Sequence, residues 1–94
     1  MYARRVTLGN STGLHVRPAT VFMETATRFR SEVRVLKDAC AADGKSAISL
    51  MLLEAGRGTE LTIQANGDDE RAAVDALVDL VERRFGEPAA TSEA

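Results

Sequence analysis

The chain has a single histidine, and its setting, Gly13-Leu14-His15-Val16-Arg17-Pro18-Ala19, concentrates the chemistry that the sequence offers. Pro18 has no N–H and a fixed φ, so it suits the first turn of a helix, where backbone donors have no intrahelical partner. A helix starting at or just after His15 follows, with His15 as its N-cap. The free N–H groups there, those of Val16 and Arg17, together with the positive end of the helix dipole, are suited to holding phosphoryl oxygens. The Arg17 guanidinium adds a charged fork. The neutral imidazole is itself the nucleophilic form, so no separate general base is required. One imidazole can accept and release a phosphoryl group alone, whereas a hydrolytic triad needs further members, and there is no second histidine. The plain competitor is a surface histidine that merely ends a helix.

Three other stretches invite chemical readings. Ser46 precedes Ala47-Ile48-Ser49-Leu50-Met51-Leu52-Leu53 and reads as the N-cap of a short helix that Gly56 and Gly58 stop. That segment is too apolar for one buried stripe. Ala47, Leu50 and Leu53 fill the three-and-four spacing, which leaves Ile48, Met51 and Leu52 as candidates for an exposed docking patch. Residues 39–46, ACAADGKS, fit a relaxed P-loop pattern with Ala for the first Gly, but they lack a Gly-rich nest, and the chain has no room for several parallel strands. Cys40 is the lone cysteine; with one histidine it cannot supply a zinc site, and it is expected as a small packed residue. No metal and no cofactor are implied.

These residues must be positioned by a small scaffold. Ninety-four residues, 45% hydrophobic and 28% charged, make one soluble globular domain with no separate substrate domain. A net charge of -2 disfavours nucleic acid as a partner. No stretch approaches the length of a membrane span, and the first ten residues have no apolar leader core, so a cytoplasmic location is expected.

Along the chain, residues 4–8 alternate as a strand stopped by Gly9-Asn10. Ala19, Phe22, Met23, Ala26 and Phe29 predict an amphipathic helix over 16–30. Residues 32–37 and, more weakly, 39–42 predict a hairpin, and the alternation of Leu61, Ile63 and Ala65 predicts a strand over 59–66 ended by Asn66-Gly67. Gly67 or Asp68 is expected to cap a last helix, amphipathic through Val74, Leu77, Val78, Val81 and Phe85. Residues 87–94 read as a disordered tail behind a domain over 1–86. The order β-α-β-β-α-β-α predicts an α+β fold, a four-stranded antiparallel sheet with three helices on one face.

The motif around His15 resembles the signature G-[LI]-H-x-R-P-A of the histidine-containing phosphocarrier (HPr) family. Lys45-Ser46 and the short apolar helix resemble that family's regulatory-serine region, and the element order matches from residue 3 to about 86. The resemblance implies an open-faced β-sandwich and a phosphocarrier, not a free-standing enzyme, acting as a monomer. It implies that Enzyme I phosphorylates His15 on Nδ1 with Arg17 as the oxyanion partner. An enzyme IIA-type domain then removes the phosphoryl group, and the second helix helps both partners dock. Ser46 corresponds to the target of a serine kinase/phosphorylase in members that have one. Two positions depart from the common pattern: Val16 replaces a small or hydroxyl residue, and Glu54 stands where sugar-system members often have Gly. The run from Ile48 to Glu54 is closer to the nitrogen-related (NPr) branch, which leaves sugar uptake and nitrogen-related regulation both open. A non-catalytic regulatory module of the same fold is the alternative.

Overall fold

The structure is a computed structural model that describes residues 1–86; the tail expected over 87–94 lies outside the described residues. The elements are β1 (Tyr2–Thr7), α1 (Val16–Ala26), β2 (Glu32–Lys37), β3 (Cys40–Asp43), α2 (Ala47–Leu52), β4 (Glu60–Asn66) and α3 (Glu70–Glu82), followed by a 3₁₀ turn at Arg84–Gly86. The strands form one antiparallel sheet in the order β1-β4-β2-β3, a pairing order that amphipathic alternation alone does not specify.

The strand period of two decides which side is covered. Val6, Val33, Val35, Ala42, Leu61, Ile63 and Ala65 face the helices and are buried, whereas Arg5, Thr7, Arg34 and Glu60 lie on the open face. The helices close the core with Ala19, Phe22 and Ala26 from α1, Leu50 from α2, and Ala73, Val74, Leu77, Val78 and Val81 from α3. This is the three-helix, four-stranded open-faced sandwich that the element order predicts. No helix among the described residues is long and apolar enough to cross a membrane.

Several boundaries differ from the sequence reading. β1 begins earlier, at Tyr2, and ends at Thr7; Leu8 still donates its N–H to the Thr59 carbonyl at 2.9 Å. α1 stops at Ala26, not near Arg30, because the chain tightens into i→i+3 bonds at Arg28 and Phe29 and the next amides are taken by Asp69. The Asp69 carboxylate accepts from the Arg30 and Ser31 N–H groups, both at 2.9 Å, and from the Ser31 hydroxyl. Asp69 also occupies the N-cap of α3, in place of Gly67 or Asp68, and its side chain makes no cap bond since it is committed to Ser31 and Arg30. Phe85 falls outside α3, in the closing 3₁₀ turn, although it still packs against the core. Cys40 is exposed and not packed: it is the first residue of edge strand β3, paired with Lys37 beside the hairpin turn.

Candidate functional site

His15 is the N-cap of α1, with an extended backbone (φ -88°, ψ -172°), and its carbonyl accepts the first helical bond, from Ala19 N–H, at 2.8 Å. Its ring is exposed and makes no capping hydrogen bond. Pro18 is the third helical residue and has no N–H to satisfy, so the unpaired donors of the first turn reduce to the amides of Val16 and Arg17. The side chains of both are exposed beside His15. An exposed imidazole, two free amides and the positive end of the helix dipole therefore adjoin one another at the start of α1, with the exposed Arg17 two residues on, an arrangement suited to an anion attached to the ring.

The loop that presents the ring is clamped from beneath. Gly13 has φ +67°, and a Cβ there would lie 2.2 Å from the Ala55 carbonyl oxygen, so both the conformation and the close approach require glycine. Leu14 is buried, and its N–H donates to that same Ala55 carbonyl at 2.9 Å. Asn10, also buried, donates from Nδ2 to the Gly13 carbonyl at 2.6 Å. The sequence reading used Asn10 only as a strand stop; a turn asparagine three residues before a required glycine was the available signal for a loop brace.

Residues 2–83 match the family model described as PTS HPr component phosphorylation site. The chain is 40% identical over 87 residues to the phosphocarrier protein HPr of Neisseria meningitidis serogroup A, covering 93% of this chain and 98% of that one. It is 42% identical over 89 residues to the HPr of Pseudomonas aeruginosa, with the same coverage. The crystal structure of HPr-C-His from Thermoanaerobacter tengcongensis superposes with a TM-score of 0.90 at 42% identity, over 94% of this chain and 99% of that one. The chain belongs to the HPr family. HPr proteins are phosphocarriers of the phosphotransferase system, and the chain has this role in a phosphotransfer chain.

Around the HPr histidine loop, α2 forms the neighbouring surface. Ser46 is its N-cap, as expected, and the hydroxyl accepts from the Ser49 N–H at 3.2 Å. Leu50 and Leu53 are buried, whereas Ile48 and Leu52 are 70% and 76% exposed, large values for such side chains. On α1, Val16 is also 56% exposed. Met51 differs from the other two docking candidates: it is half-buried and packs against the core. Lys37 completes this side by donating from Nζ to the carbonyls of Leu53 and Glu54, which satisfies the end of α2.

Proposed function

We propose that the chain accepts one phosphoryl group on Nδ1 of His15 from Enzyme I and passes it to an enzyme IIA-type domain. What supports this most is the N-cap placement of an exposed, unbonded imidazole next to the two free amides of Val16 and Arg17. The Nδ1 lone pair forms the N–P bond as the bond between phosphorus and the donor breaks; with the ring proton on Nε2, no proton needs to leave. Phosphate on Nδ1, the nitrogen nearer the backbone, lies closer to the amides than phosphate on Nε2 would. Arg17 and the helix end offset charge on the equatorial oxygens, and the partners contribute the remaining positioning. The exposed side chains of Ile48 and Leu52, with the edge of Met51, form the docking surface. Where a serine kinase/phosphorylase is present, phosphate on Ser46 would remain compatible with the start of α2 while charging the rim of that surface.

Incubation with phosphoenolpyruvate and Enzyme I, followed by intact-mass spectrometry, tests the assignment. The wild-type chain gains one acid-labile phosphoryl group and His15→Ala gains none. Undiminished labelling of the mutant would overturn it.

A further inference from the structure

Glu54 follows the last turn of α2 with φ +53°, a left-handed conformation that glycine takes freely and a glutamate takes at a steric cost. Its backbone is well bonded: the N–H donates to the Met51 carbonyl at 3.0 Å and its own carbonyl accepts from Lys37 Nζ at 3.3 Å. The carboxylate, by contrast, joins none of the ion pairs among the described residues and is exposed. Nothing in the fold therefore accounts for a glutamate here.

Its position is specific. The next residue, Ala55, holds the Leu14 amide, one residue before His15. Across the two segments that frame the histidine, 9–17 and 46–58, Glu54 is the sole acidic side chain, against the exposed cations Arg17 and Arg57. It also lies just beyond the exposed Leu52 at the end of the apolar patch. A protein that docks over this face meets Arg17 next to His15 in the chain and, at the α2 end, a Glu54 carboxylate that forms no ion pair among the described residues, the nearby Lys37 ammonium being bonded to the Leu53 and Glu54 carbonyls.

We propose that Glu54 is a partner-specificity residue: it selects a phosphoryl donor protein that presents a Lys or Arg opposite the end of α2, and disfavours one that presents an acid there. The inference rests on the phosphocarrier assignment of His15. Exposed charge pairs act mainly on encounter and on the choice among partners, so the signature is in kcat/KM and its salt dependence.

The test measures phosphoryl transfer from phosphoenolpyruvate through the Enzyme I of the same organism to the wild-type chain, Glu54→Gln, Glu54→Lys and Glu54→Gly. At low salt kcat/KM falls about five-fold for Glu54→Gln, by more for Glu54→Lys, and the losses shrink at about 0.5 M salt, where the screening length is only a few ångströms. Glu54→Gly loses transfer as Glu54→Gln does, yet melts at a higher temperature, since it relieves the left-handed backbone. Wild-type kcat/KM in all three variants, or faster transfer by Glu54→Lys, would overturn the specificity role while leaving His15 as the carrier. Absence of phosphorylation in the wild-type chain would instead remove the carrier assignment, and this inference with it.

Discussion

The Leu14 amide donates to the Ala55 carbonyl at 2.9 Å, and this bond ties the loop that presents His15 to the segment leaving α2. Two parts of the surface separated by about forty residues of chain are thereby held in one frame. On the proposed docking mode, a partner that seats apolar side chains on Ile48 and Leu52 would be registered against the ring and the amides of Val16 and Arg17.

That frame depends on Gly13. In Gly13→Ala a methyl group would meet the Ala55 oxygen at 2.2 Å while the backbone stays at positive φ. The cost should reach about 2 kcal/mol or more, read as a lower melting temperature, and phosphoryl transfer should slow even at temperatures where the variant is folded.

Arg17 is exposed and contributes no core packing. Arg17→Ala should keep its stability within about 0.5 kcal/mol, as expected of a surface change. Transfer should fall roughly ten- to hundred-fold, the worth of one charge-assisted contact with phosphate. Stopped-flow or quench-flow measurement of the transfer rate checks this, and a wild-type rate would remove Arg17 from the site.

Ile48 and Met51 separate docking from packing. Ile48→Glu places a charge on a side chain that is already 70% exposed, so the melting temperature should barely move while Enzyme I binding weakens about ten-fold or more. Met51→Glu pushes a carboxylate against the core and should lower the melting temperature as well. Thermal melts paired with titration calorimetry distinguish the two.

Part of the acid sensitivity of the fold should trace to Asp69. The Ser31 hydroxyl first, then the Arg30 N–H, hold its carboxyl well below the ordinary range, at about 2 in place of 3.8. Its folded-state pKa is depressed, so the stability it contributes is present above about pH 4 and is lost as the pH falls from there toward 2. Melting curves across that window should show Asp69→Asn less pH-dependent than the wild-type chain; equal slopes would place the acid sensitivity elsewhere.

What the sequence disclosed and what it withheld follow from the range of the interactions. The start of α1 was legible because Pro18 and the stripe Ala19-Phe22-Ala26 are local signals, and β4 because Leu61, Ile63 and Ala65 alternate cleanly. The end of α1 was not, since it is set by a carboxylate 39 residues away that takes the Arg30 amide. At the other end of that bond, Asp69 is the α3 N-cap, but its carboxylate serves Arg30 and Ser31 and not the helix, so the local capping pattern does not single it out. Within α2, spacing separated Leu50 and Leu53 from Ile48 and Leu52, but the half-burial of Met51 depends on where the helix meets the core. Residue type alone favours burial of Cys40, while its place beside the hairpin turn exposes it. The brace from Asn10 to the Gly13 carbonyl lay within a short turn whose geometry the residue pattern only outlined.

The claim that His15 is the phosphoryl carrier is tested most directly by long-range ¹H–¹⁵N NMR of the imidazole, before and after incubation with phosphoenolpyruvate and Enzyme I. The chain has one histidine, so a single ring spin system is observed. Phosphorylation should move Nδ1 to the resonance of a phosphorylated imidazole nitrogen, leave Nε2 bearing its proton, and shift the amides of Val16 and Arg17 most among the backbone signals. An unchanged ring in a chain that has nonetheless gained a phosphoryl group would contradict the assignment.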